Sequence, residues 1–134
     1  MNNDEKSQLV MAHILEKAMQ VGIQEWTLSF PDLNLDKEYA PFFYPCLEWL
    51  EREELVVVKS YRKAIGGVAS GCAYNVHLTS RGQATMKQQI DIAGQNEEVA
   101  ETVKKVSSAP EQYTGFGAFL GGVLGGFTKS IGSS

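Results

Sequence analysis

The stretch that decides the fold is residues 47–86, LEWLEREELVVVKSYRKAIGGVASGCAYNVHLTSRGQATM. It contains two β-prone runs, LVVVKSY at 55–61 and an alternating run at 72–78. Three glycines that are typical of a hairpin tip lie between these runs: Gly66, Gly67 and Gly71. Thr79 or Ser80 then offers an N-cap for a following helix. The stretch therefore predicts the end of a helix, a long β-hairpin and another helix, in that order.

Upstream of this stretch, the pattern predicts two helices and a short strand. Apolar residues at helical spacing predict a helix over 4–20 that ends at Gly22. WTLSF at 26–30 alternates as a short strand does. A second helix is predicted from Asp36 to about Glu53. Because proline fits poorly in a helix interior, we expect this second helix to have a kink or a broken start, with its regular part from Pro45 onward.

The stretch at residues 47–86 resembles the second half of a MarR-type or PadR-type winged-helix domain. In those domains the apolar end of a recognition helix leads into a β-hairpin wing, and a Leu-Thr and glycine motif closes the wing. The matching residues are Leu47, Leu50, Leu55, Val56, Tyr74, Leu78, Thr79, Gly82 and Met86. The usual family glycine after the recognition helix is Glu54 here. The resemblance spans about residues 5–90 and implies an α+β, mainly α fold, with three helices, a wing and further C-terminal helices.

This interpretation divides the chain into three parts. Residues 1–92 are predicted to form the winged-helix domain. Residues 93–110 are predicted to be a helical connector and linker, with a helix over 95–106 after an interruption at Gly94. Three valines in that helix form a narrow apolar stripe that could extend an oligomer seam: Val99, Val103 and Val106. Residues 111–134 are predicted to be a Gly/Phe-rich, hydrophobic tail helix.

Charge is distributed unevenly along the chain, although the formal total is only −4. Residues 1–54 carry 11 acids and 4 bases, whereas residues 55–90 carry five bases and no acid. A surface made by the second range is either a solvated basic hairpin or a contact for phosphate, an acidic partner or acidic lipid. The candidate contact residues are Lys59, Arg62, Lys63 and Arg81.

The helix that the resemblance assigns to base reading, residues 36–53, is unsuited to that role. It contains five acids and only two bases, and base readout and phosphate contacts need Arg, Lys, Asn or Gln. Its aromatic residues either fill the core or form a protein-contact surface, where such side chains are enriched. The candidate contact aromatics are Tyr39, Phe42, Phe43 and Tyr44.

The tail sequence GFGAFLGGVLGGF at 115–127 divides into two faces when it is placed on a helix. The small face includes Gly117, Gly121, Gly122, Gly125 and Gly126, at a spacing that lets helix backbones approach closely. The bulky face includes Phe116, Phe119, Leu120, Val123, Leu124 and Phe127. The alternatives are self-association or docking on another protein, membrane contact, and a disordered or folded-back tail without a special role.

We find no motif of catalysis or metal binding. Neither His13 nor His77 lies in a ligand motif, and Cys46 and Cys72 form no CxxC pair. We therefore expect no enzyme, no catalytic residue, no cofactor and no metal. The absence of a signal-like start favours a cytoplasmic protein, and contact of the tail with lipid would make it peripheral to the membrane.

The expected function is that of a non-enzymatic winged-helix module that acts through protein–protein contacts. The expected partner is a second copy or another protein, and the tail provides self-association or membrane contact. The alternative is a DNA-binding transcriptional regulator that uses the basic wing, which is not the favoured interpretation.

Overall fold

The computed structural model describes residues 1–92 and 94–109, which form an α+β fold with four α-helices and three small antiparallel sheets. The first helix, α1 (Asn3–Val21), begins at a capping box. The Asn2 side chain accepts from the Glu5 backbone N–H at 2.8 Å, and the Glu5 carboxylate accepts from the Asn2 N–H at 3.1 Å. The helix ends at Gly22, as predicted, and it packs against both later helices α2 (Phe43–Arg52) and α4 (Val99–Ser108).

The second predicted helix has a broken start, as expected. A 3₁₀ helix at Phe30–Leu33 comes first, and another, at Lys37–Phe42, leads directly into α2. The regular helix begins at Phe43, two residues before the predicted point. Pro45 fits there because it is the third residue of α2, where a backbone N–H has no intrahelical partner in any case.

The predicted hairpin forms, but each of its strands is divided in two. The outgoing arm contains β2 (Val56–Val57) and β3 (Ser60–Lys63), and the returning arm contains β4 (Gly71–Tyr74) and β5 (His77–Leu78). Asn75 causes the division in the returning arm, because its backbone turns to a φ of 51°. The short β1 (Thr27–Leu28) pairs with β4, which gives the strand order β1-β4-β3, while β2 pairs with β5.

Trp26 connects β1 to the returning arm of the hairpin. Its backbone N–H donates to the Asn75 side chain at 2.9 Å, and its indole N–H donates to the Val76 carbonyl at 2.9 Å. The Asn75 N–H donates in turn to the Trp26 carbonyl at 2.8 Å. These bonds join the segment after α1 to the hairpin and fix the edge of the sheet.

The helix α3 (Ser80–Lys87) follows β5 and begins as predicted. The Thr79 hydroxyl is the N-cap and accepts from the Gly82 N–H at 2.9 Å. Gly82 faces the backbone of Leu55, and a Cβ at position 82 would collide with the Leu55 carbonyl oxygen. The start of α3 therefore lies directly against the backbone that follows α2.

The prediction for residues 88–98 is wrong. We expected α3 to continue to about Ile90 and a new helix to start at Gln95, but the chain forms a second hairpin, β6 (Gln89–Ile92) with β7 (Gln95–Glu98). Gly94 supplies the turn with a φ of 83°, a conformation that favours glycine. Helix α4 starts only after this hairpin.

The apolar stripe of α4 is fully buried: Val99, Val103 and Val106. It packs against α1 within the same chain, so it cannot form the upstream oligomer seam that we expected. Near the end of α4, the Ser107 hydroxyl donates to the Glu16 carboxylate of α1. The chain therefore leaves the described region beside the middle of α1.

The predicted tail helix, residues 111–134, lies outside the described residues, as do both of its predicted faces. No helix in residues 1–92 and 94–109 combines the length and the apolar character needed to cross a membrane.

Candidate functional site: the hairpin tip and the α2 surface

The tip of the β3–β4 hairpin presents apolar side chains to solvent. We define the hairpin tip as residues 64–70, which contain the glycine pair Gly66-Gly67. Ile65 is 107% exposed and Val68 is 68% exposed. Burial of such side chains under a partner would stabilise the complex by roughly 25 cal/mol per Å² of apolar surface. The hairpin tip is therefore a candidate contact surface that the sequence analysis did not single out.

Lys63 is the last residue of β3, directly before the hairpin tip, and it already has partners within the chain. Its Nζ lies 3.3 Å from a carboxylate oxygen of Glu48 in α2. It also lies over two aromatic rings, 5.1 Å from the Tyr44 centroid and 5.7 Å from the Tyr61 centroid. Lys63 is one of the four bases predicted to contact an anionic partner, and the Glu48 carboxylate already neutralises part of its charge.

Two tyrosine hydroxyls attach the hairpin to α2. The Tyr61 O–H donates to the Glu51 carboxylate at 2.6 Å, and the Tyr44 O–H donates to the Ser70 carbonyl at 2.9 Å. Burial, the bond to Glu51 and the nearby carboxylates raise the pKa of Tyr61, so the phenol stays protonated as a donor. These contacts fix the hairpin on one face of α2.

The other predicted basic residues do not form one cluster. Lys59 and Arg62 are exposed on the outgoing arm, and Arg62 bonds to the Tyr74 side chain, which raises its pKa. Arg81 lies at the start of α3, where its guanidinium donates to the Glu54 carboxylate at 2.9 Å. Arg81 therefore lies apart from the hairpin, in an ion pair with Glu54, and contact of these bases with an anionic partner stays a prediction.

Glu54, where the resemblance predicts a glycine, adopts a conformation that favours glycine. Its φ is 61°, in the left-handed region. Its carbonyl accepts from the Thr79 hydroxyl at 2.5 Å, and its carboxylate pairs with Arg81. Glu54 therefore links the end of α2 to the cap of α3.

The predicted contact aromatics divide into buried and half-buried pairs. Phe43 is fully buried and Tyr44 is nearly so; their rings meet edge to face, with centroids 4.9 Å apart. These two were predicted to form a partner surface, and that prediction is wrong because they fill the core. Tyr39 and Phe42 are half-buried and pack against that core.

A groove between α1 and α2 is the second surface feature that the sequence did not reveal. It has a volume of about 370 Å³, and its apolar lining includes Met11, Phe42 and Trp49. Gln8 also lines it; this side chain is 3% exposed and its amide N–H donates to Asp4 at 2.9 Å. Within the described part of the chain, the Gln8 amide oxygen has no hydrogen-bond partner. The groove depends on how α1 and α2 are rotated relative to each other. The sequence of either segment alone does not contain that information.

His13, His77 and Cys46 all lie against neighbouring protein groups. His77 lies 2.7 Å from the Gln24 carbonyl, and burial lowers the pKa of His13. The Cys46 thiol donates to the Ser7 carbonyl at 3.4 Å, and burial raises its pKa to about 12, so it is not a reactive thiolate. Across residues 1–92 and 94–109, no three His, Cys, Asp or Glu side chains are grouped to hold a metal ion.

Comparisons with protein-family models, with curated proteins and with solved structures found no match to this chain.

Proposed function

We propose that this chain is a non-enzymatic winged-helix module that binds another protein through its hairpin tip. In this proposal residues 1–92 are the winged-helix domain, the β3–β4 hairpin is the wing and α2 is the recognition helix. The strand order β1-β4-β3 supports it, because the short first strand pairs with the returning arm of the wing. The Thr79 cap and the tight contact at Gly82 support it as well, since both fall on the residues that carry the resemblance.

The proposal of protein binding rests on the contrast between the carboxylates of α2 and the exposed apolar side chains of the hairpin tip. In α2, Glu48 and Glu51 lie beside the outgoing arm of the wing, where they bind Lys63 and Tyr61. Carboxylates at this place repel phosphate and offer no donor to a base edge. The hairpin tip instead presents Ile65, which is fully exposed. Apolar burial, not phosphate contact, is therefore the main favourable term available to this surface.

The tail completes the proposal. Its small face would support helix pairing, and its bulky face would support lipid contact. Phe119→Asp on the bulky face is expected to abolish vesicle binding, whereas Gly121→Leu on the small face is expected to disrupt helix pairing more than vesicle binding. If neither substitution changes flotation with vesicles or sedimentation, the hypothesis of a tail helix with two distinct faces is wrong.

Site-specific photo-crosslinking tests protein binding directly. A benzophenone amino acid replaces Ile65 in the full-length chain, expressed in its native cell, and the matched control places it at Ile23, which is 74% exposed outside the hairpin. We expect adducts from position 65 that protease digests and nuclease leaves intact, with far fewer from position 23. Adducts from position 65 that nuclease digests would overturn the proposal.

Binding of DNA by the wing is the second candidate function. The observation in its favour is that Lys59, directly before β3, and Arg62, within β3, are both exposed, in a range of sequence that contains no acid. Two phosphate contacts give a shallow salt dependence, with affinity falling about tenfold between about 50 and 200 mM salt.

A duplex titration at those two salt concentrations tests this candidate. The double variant Lys59→Glu with Arg62→Glu should abolish binding, while the control Lys87→Glu, on α3, should retain it. If the double variant binds duplex as the wild type does, wing contact with DNA is excluded.

A further inference from the structure

We propose that the free edge of β3 receives an extended segment of the protein partner, which pairs with it as an additional strand and carries carboxylates opposite the bases of this edge. This inference rests on the proposed function, because it names the chemistry of the partner that the hairpin contacts. It commits to an acidic strand as the occupant.

β3 lies at the edge of its sheet, where one side of its backbone is unpaired. The strand order β1-β4-β3 gives it a single neighbour, and β4 is the element that packs along it within residues 1–92 and 94–109. Three of its four residues are exposed, and Tyr61 is half-buried. The opposite edge of the sheet belongs to β1, which has only two residues. β3 therefore offers the longer open edge of this sheet.

The pairing with β4 determines which backbone groups of β3 point away from the sheet. The Ala64 N–H donates to the Ser70 carbonyl at 3.2 Å, so Ala64 directs its backbone groups toward the returning arm. Hydrogen-bonded pairs alternate along an antiparallel ladder, so Arg62, two residues earlier, also faces β4. The N–H and C=O groups of Tyr61 and Lys63 consequently point outward, about 7 Å apart. These outward groups have no hydrogen-bond partner among the described residues.

This backbone arrangement selects an extended polypeptide as the occupant. Donors and acceptors that repeat at every second residue match the ladder of another strand, which is how peptides are added to open sheet edges. A phosphate backbone offers acceptors alone, and a lipid surface has no such periodic ladder. A strand that pairs along β3 also continues past Lys63 to the hairpin tip, where it can cover Ile65, which is 107% exposed.

The side chains at this edge select an acidic strand. Lys59 and Arg62 are exposed, and neither has a carboxylate within ion-pair distance among the described residues. The α2 carboxylates that contact β3, Glu48 and Glu51, are already bound by its other side chains. Opposite charges across two strands are stabilising, and like charges are destabilising. A second copy of β3 would place bases against bases, whereas an acidic strand would pair with them.

An NMR titration of the isotope-labelled, full-length chain tests this inference. The probe is a peptide of about eight alternating Glu and Val residues, and the control peptide has Lys in place of Glu. We expect the Glu peptide to bind about tenfold more tightly than the Lys peptide. The backbone amide signals of Tyr61 and Lys63 should shift more than that of Arg62, because the Arg62 N–H already faces β4.

Two variants separate backbone pairing from side-chain contact. Lys63→Pro removes one outward N–H, whereas the matched control Lys63→Ala removes the same side chain and keeps that N–H. We expect the proline variant to bind the Glu peptide about fivefold more weakly than the alanine variant. Thermal unfolding checks that both are folded. Arg62→Glu provides a test that does not depend on proline, because it should reverse the preference and favour the Lys peptide.

The inference is overturned if neither peptide shifts the Tyr61 and Lys63 amides, if folded Lys63→Pro binds as Lys63→Ala does, or if Arg62→Glu keeps the original preference. Photo-crosslinking from position 65 decides the proposed function separately. Protein adducts at that position together with failed peptide binding would overturn the inference and leave the proposed function standing. Adducts that nuclease digests would overturn the proposed function and, with it, the protein partner assigned to this edge.

Discussion

The carbonyl oxygen of Leu55 occupies the space that a side chain at position 82 would need. The same carbonyl accepts from the Thr79 N–H at 3.0 Å, so it cannot move away without losing that hydrogen bond. This contact joins the end of α2 to the start of α3 across the base of the hairpin. It explains why position 82 holds a glycine.

Gly82→Ala should lower the free energy of unfolding by about 3 kcal/mol, because the added methyl group forces the two backbones apart. Chemical denaturation measures this change. The matched control is Gly66→Ala at the hairpin tip, where the nearest atom to the added Cβ is the Ser70 hydroxyl at 3.3 Å. We expect that variant to change stability by less than about 0.5 kcal/mol. Equal losses in the two variants would contradict the close contact at Leu55.

Glu54→Gly should be more stable than Glu54→Ala by about 1 kcal/mol. Both variants lose the ion pair with Arg81, so the comparison isolates the cost of a Cβ at a φ of 61°. Denaturant unfolding of the two variants provides the measurement. If the alanine variant is as stable as the glycine variant, the left-handed conformation at this position is wrong.

Tyr61→Phe should lower the free energy of unfolding by about 1–2 kcal/mol, since it removes a hydrogen bond to the charged Glu51. Tyr39→Phe is the control, because the Tyr39 hydroxyl contacts only the Met1 sulfur at 3.8 Å within the described residues. We expect no measurable loss from it. A Tyr61 variant as stable as the control would mean that the hydroxyl is not bonded to Glu51.

His13 should make the protein less stable in mild acid. Burial between α1 and α4 lowers its pKa below the usual 6.5, although Glu16 and the Ser107 backbone act in the opposite direction. The unfolded chain therefore binds a proton more readily than the folded chain, and stability falls as the pH drops below about 6.5. Unfolding titrations between pH 7 and 5 should show a smaller decrease for His13→Asn than for the wild type. An identical decrease would show that the pKa of His13 is not lowered by folding.

The local features of the fold could be predicted from the sequence because they depend on near neighbours. The first helix, the Thr79 cap and the hairpin glycines each follow from a few adjacent residues. Residues 89–98 were predicted wrongly because QIDI and QNEE form strands only when they pair with each other across Gly94. Their polar composition gives no strong strand signal.

The surface could be predicted only in part. Lys59 and Arg62 lie exposed as a basic hairpin suggests, whereas Arg81 is held by Glu54 and Lys63 by Glu48. Those ion pairs join residues 15 and 27 positions apart, so no local pattern contains them. Phe43 and Phe42 are neighbours in sequence, and only the packing of α2 against α1 determines that the first is buried and the second lines the groove.

The strand order β1-β4-β3 has a consequence for a chain that is cut. Arg62 and Lys63 precede the exposed hairpin tip, so trypsin has accessible bonds there. A cut at Lys63 separates β1 and β3 from β4, yet β4 lies between the other two and pairs with both. Helices α1 and α4 also pack together although they belong to different fragments. The nicked protein should therefore stay assembled as two interlocked fragments, and the tip offers a place to split the chain for reconstitution from separately expressed halves.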